Sequence, residues 1–153
     1  MKNNFILIIL LPLVLVVLTS ISGCGVSDDE LILENNIEQM RNAVSQHQAN
    51  QLMGFISDDY RSPLHRNKDT LQKFVDYHLN TNRVIYIYVA DIDIEIDDNL
   101  AKITFYSGIT GGPDQIPERG QLYKVGMHWL KTNGQWELTQ AKWRPALVLR
   151  KKS

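Results

Sequence analysis

The spacing of apolar residues changes at Arg83, and that change restricts the chain to a mixed fold. Upstream, apolar side chains recur every three or four residues, the period of one helix face. Downstream they recur every second residue, the period of a strand with two distinct faces. Helices therefore come first and strands follow, the order of an α+β layout and not of an alternating βαβ one.

The upstream half predicts three helices. Leu33, Ile37, Met40, Val44 and His47 form one stripe of a helix over Glu30–His47, with Ser27, Asp28 or Asp29 as its cap. A shorter helix over Gln51–Ser57 carries Leu52, Met53, Phe55 and Ile56, and Ser57-Asp58-Asp59-Tyr60 ends it. A third runs over Lys68–Leu79, capped by Asn67 or Asp69, with Leu71, Phe74, Val75 and His78 on its buried side.

The downstream half predicts four strands. Val84–Ile96 is rich in β-branched and aromatic residues; its first half, Val84 to Val89, is apolar on both faces. In its second half Ile92, Ile94 and Ile96 alternate with acidic residues, so one face is wet. Leu100–Ile109 follows, with Ala101, Ile103 and Phe105 alternating with Lys102 and Thr104. Thr110–Gly120 reads as a long loop. Gln121–Lys131 and Gln135–Pro145 flank Thr132-Asn133-Gly134, a tight-hairpin signal because Asn-Gly accepts the backbone such a turn demands.

Ahead of these elements, Met1 to Cys24 has a different character. Lys2 opens a short basic start, an apolar run of about 14 residues extends from Phe5 to Leu18, and small residues precede Cys24. The run is shorter than the roughly 20 residues a spanning helix needs. Ile21-Ser22-Gly23-Cys24 resembles the lipobox of bacterial lipoproteins. The resemblance implies a signal peptide over 1–23, cleavage before Cys24, and a membrane anchor of diacylglyceryl and N-acyl groups on that cysteine. It also implies a short tether over 24–29 and a domain over 30–150 held in the cell envelope. Gly25 is not the aspartate of an inner-membrane retention signal, so outer-membrane sorting is expected where a cell has two membranes. An ordinary signal cut elsewhere and a retained anchor are the alternatives. Cys24 is the only cysteine, so no disulfide is available to the domain.

Without the signal about 130 residues remain, enough for one core. Of 16 basic residues only Lys2 is lost, leaving 15 against 17 acidic ones, a net charge of −2 that argues against a nucleic-acid partner.

The helix opening the domain, the stretch Leu52 to Tyr60 and the late hairpin Trp129 to Leu138 together resemble the NTF2-like superfamily, which includes SnoaL-like and ketosteroid-isomerase-like proteins. That resemblance implies N-terminal helices packed on a strongly curved four-stranded antiparallel sheet, with a pocket on the concave face. It implies no single activity, because such a fold hosts enzymes, binding modules and assembly domains.

Few residues suit pocket chemistry. Tyr60 is expected near the pocket rim as a donor to a ligand carbonyl, or else as a packing residue. His128 falls on the far face if Tyr123, Val125, Met127 and Trp129 face the core, unless a bulge reverses the alternation. Trp143 is a candidate for stacking on a ligand or partner, or else a packing residue of the last hairpin; alternation sets it on the opposite face from Trp136 and Leu138. Asp58 and Asp59 read as a solvated turn, and His47 and His78 as core histidines. No residues match the tyrosine–aspartate pair of ketosteroid isomerases, and the four histidines lack metal-ligand spacing, so no catalytic residue, cofactor or metal is expected. Three readings stay open. One is a non-catalytic domain binding a small apolar ligand or an envelope protein. The others are a pocket enzyme and a homodimeric assembly module.

Overall fold

In the computed structural model, which describes residues 27–112 and 119–146, three helices precede one four-stranded sheet. They are α1 (Asp28–Ser45), α2 (Ala49–Met53) and α3 (Lys68–Thr81). The strands are β1 (Val84–Asp97), β2 (Leu100–Gly112), β3 (Arg119–Thr132) and β4 (Gln135–Pro145). All neighbours are antiparallel, in the order β1-β2-β3-β4. The expected α+β class and curved four-stranded sheet are what the chain forms. The signal, Cys24 and the first half of the tether, residues 24–26, lie outside the described residues.

Local chemistry explains the helix ends. The Ser27 hydroxyl accepts the Glu30 N–H at 3.2 Å, and three acidic residues in the first turn suit the positive end of the helix. Asn67 and Thr70 form a reciprocal capping box on α3, with Asn67 Oδ1 accepting the Thr70 N–H at 3.0 Å. His47 lies past the end of α1, with a φ of 59°, and its Nε2 is 2.8 Å from the Asn82 carbonyl. It is exposed and not the core histidine its spacing predicts.

The loop expected over Thr110–Gly120 is shorter than its glycines suggest. Thr110↔Gly120 and Gly111↔Arg119 pair, so β2 and β3 extend into it. At the other end Asn133 and Gly134, with φ of 51° and 81°, make the predicted tight turn.

Two bulges bend the sheet. In β1, Asp91 and Ile92 oppose Phe105 alone, with Asp91 at a φ of 54°. Before the bulge Ile85, Ile87 and Val89 point inward; after it Ile94 and Ile96 do. This switch explains a strand that is apolar on both faces and then on one: Tyr86 and Tyr88 are the outward members of its first half. In β4, Thr139 is the extra residue between Leu138↔Trp129 and Gln140↔His128. The bulge brings Trp136, Leu138, Ala141 and Trp143 to one face, correcting the expectation that Trp143 and Trp136 lie on opposite sides.

The concave face holds the core. Leu33 and Ile37 of α1 and Leu71, Val75 and Leu79 of α3 meet Ile103, Phe105, Val125, Trp129, Trp136 and Leu138 from the sheet. The segment after α2 lies along β4: Ser57 N–H bonds the Leu138 carbonyl at 3.0 Å, and Leu138 N–H bonds the Phe55 carbonyl at 2.8 Å. This pairing covers part of an edge that would otherwise present unpaired backbone groups.

Candidate functional site

The core does not fill the cone. Towards the ends of β1 and β4 remote from the hairpin turns, a cavity of about 500 Å3 opens between the sheet and the helices, within the roughly 300–1,000 Å3 usual for small-molecule sites. Its floor is the inward row of three strands: Ile85, Ile87 and Val89; Phe105, Ser107 and Ile109; Tyr123, Val125 and Met127. Helix α1 supplies Ile37, Met40, Arg41 and Val44, and α3 supplies Phe74, Val75, His78 and Leu79. Ile and Val make up much of the floor at this end, while Trp129 and Trp136 plug the other.

The polar groups in this wall are mostly engaged with one another. Arg41 Nε donates to Glu38 at 2.8 Å, and its Nη2 contacts both Glu38 and Asn42. Its hydrogen bonds to Glu38 hold that carboxyl below the usual range and the guanidinium above it. Tyr123 donates to Gln121 Oε1 at 2.9 Å, and Asn82 Nδ2 to the His78 carbonyl at 2.9 Å. No Asp or Glu lines the cavity among the described residues. Ser107, on the floor, is 4% exposed.

Trp143 belongs to this wall, within an aromatic cluster that joins distant parts of the chain. His65 from the loop after α2 packs 5.5 Å from its ring and 4.4 Å from Phe74, which in turn lies 4.4 Å from His78. Burial, and then the neighbouring His78, hold the His65 imidazole below its ordinary value. His78 is an exposed member of the wall and not a core histidine.

Tyr60 is not at the rim. It is fully buried beneath β4 and does not line the cavity. Ser62 Oγ donates to the Ala141 carbonyl at 2.7 Å, and the Tyr60 hydroxyl lies beside both groups without a well-aligned hydrogen bond of its own. Burial pushes that hydroxyl above its usual range. His128 is exposed on the far face, as strict alternation of β3 requires; it borders a shallow depression with Glu95 and Lys102. Asp58 is exposed and paired with Lys68 at 2.9 Å, so the acidic turn is solvated. Among the described residues no group of three His, Cys, Asp or Glu side chains is placed to hold a metal.

Ser107 is the wall residue that sequence reasoning missed. The signal was present: continuing Ala101, Ile103, Phe105 by two residues sets a hydroxyl on the inward face.

No protein-family model matches the chain, and no curated protein matches it in sequence. Solved structures do match. An NTF2-like protein of unknown function from Pseudomonas putida superposes with a TM-score of 0.69 at 15% identity, over 82% of this chain and 93% of its own. A candidate dehydratase of the NTF2-like family from Streptomyces avermitilis gives 0.70 at 13%, over 78% and 97%. The fold is NTF2-like. Bd1075 of Bdellovibrio bacteriovorus also matches, with a TM-score of 0.68 at 12% identity; 78% of this chain is covered, which spans only 44% of that protein. At such identities the likeness is one of fold and carries no activity over to this chain.

Proposed function

We propose that this chain is an envelope lipoprotein, anchored through Cys24, whose NTF2-like domain binds a small apolar ligand without transforming it. The carrying observation is the open cavity of about 500 Å3, walled mainly by Ile, Val, Met and Phe. An isomerase or dehydratase needs a poised acid and base facing each other over the substrate. Here the described wall offers no carboxylate; its one guanidinium is paired with Glu38 outside the wall, its tyrosine hydroxyl is bonded to Gln121, and its histidine, His78, packs against Phe74. A purely assembly role is less favoured, since a filled cone would serve it equally well.

The tether supports an orientation. Asp29, in the first turn of α1, accepts Lys131 Nζ at 2.6 Å and Trp136 Nε1 at 3.0 Å, which fixes the start of the domain to the β3–β4 hairpin. Cys24 precedes it by so few residues that the hairpin end sits near the bilayer. Arg41, where the cavity wall begins to be polar, lies about 20 Å farther along α1 at 1.5 Å per residue. The ligand chamber then lies at the end of the domain remote from the anchoring membrane.

Two measurements test this reading. Cys24→Ser is expected to leave uncut, unacylated precursor; normal processing and membrane fractionation of that variant would remove the lipoprotein part. Native mass spectrometry of protein taken from its own membrane is expected to release a bound apolar molecule. A ligand-free mass under conditions that retain weakly held lipids would remove the binding part.

A further inference from the structure

The described domain has three buried serines. Two are committed to the fold: Ser57 Oγ accepts the Asp59 N–H at 3.3 Å, and Ser62 Oγ bonds the Ala141 carbonyl at 2.7 Å while accepting the Leu64 N–H at 3.2 Å. The third, Ser107, makes no side-chain hydrogen bond to another described residue, and it alone of the three lines the cavity. It lies between Phe105 and Ile109 on its strand and pairs across to Val89 and Tyr123.

The Ser107 hydroxyl is not sealed off as the Tyr60 hydroxyl and Trp129 Nε1 are; it opens onto the cavity wall beside Phe105 and Val89. Water entering the cavity can satisfy it, and a ligand that displaces that water has to replace the bond. Charge on the ligand is disfavoured from both sides. Arg41 is already held by Glu38 and Asn42, and no carboxylate stands in the described wall to receive a cation. An unpaired charge carried into such a space loses far more hydration than one hydroxyl can return.

We propose that Ser107 is the polar contact for the ligand, and that the ligand is an uncharged, mostly apolar molecule carrying one hydroxyl or carbonyl group. This inference rests on the binding role of the cavity proposed above.

The test uses the full chain in lipid nanodiscs and displacement of the neutral fluorophore N-phenyl-1-naphthylamine. Empty nanodiscs and a Val89→Trp variant, which fills the floor beside Ser107, serve as blanks. The competitors are 1-decanol, 1-chlorodecane and decanoate. Ser107→Ala is expected to weaken 1-decanol about fivefold, the worth of one neutral hydrogen bond, and to leave 1-chlorodecane within about twofold. Decanoate is expected to compete less well than 1-decanol on the unaltered protein. Equal loss of 1-decanol and 1-chlorodecane would overturn the role of Ser107 while leaving the cavity as a binding site. Decanoate as the tightest competitor would overturn the uncharged class. No fluorophore binding above either blank would take down the cavity reading, and this inference with it.

Discussion

The two ends of the cone are built on the same strands and differ in what fills them. At the hairpin end, Trp129 and Trp136 meet Leu33, Leu138 and Ile103, all of them buried. At the other end, Ile85, Ile87, Val89 and Ser107 face α1 and α3 across open space. Both ends obey the same inward alternation. The contrast teaches that alternation selects which residues face inward, whereas side-chain size and helix placement decide whether the inside becomes core or chamber.

The largest expected effect breaks the filled end. Trp129→Ala removes a side chain that is 1% exposed and is expected to cost roughly 3–5 kcal/mol, read as a lower urea midpoint. A loss below about 1 kcal/mol would mean that this end is no tighter than the other.

A smaller effect of opposite sign sharpens the assignment of Tyr60. Its hydroxyl is buried without a well-aligned hydrogen bond of its own, so Tyr60→Phe is expected to stabilise the domain by about 1 kcal/mol and to leave fluorophore binding unchanged. Weakened binding would return Tyr60 to the site.

The smallest effect belongs to the rim of the chamber. His65 is held below the ordinary histidine value of 6.5, by burial and then by His78. The unfolded chain therefore takes up the proton first. The stability His65 contributes is complete above pH 6.5 and is lost as pH falls through its lower folded value. The melting temperature is expected to drop between pH 7 and 5, and His65→Asn to flatten part of that slope. Identical slopes would show that the packing against Phe74 and Trp143 is insensitive to charge.

The site was partly legible in the sequence. Trp143 was singled out and lines the cavity, and His128 lies on the far face that alternation assigns. Tyr60 takes the packing alternative, not the rim position, and its neighbours in sequence give no hint that Phe55–Arg61 runs along β4. The aromatic contact of His65 with Trp143 joins residues far apart in the chain, so no local pattern could report it.

The sequence by itself determined α1, α3, the four strands and the turn at Asn133-Gly134, because capping, turn chemistry and periodicity act over a few residues; the helix expected over Gln51–Ser57 instead spans Ala49–Met53, since the residues after it pair with β4. Only the tertiary structure decided which rows stay on one face along a whole strand. The extra residues at Asp91 and Thr139 are visible only against the strand each is paired with, and a shift of one residue moves every later side chain to the other side. That shift turns Trp143 towards the chamber and lets β1 serve chamber and core in succession.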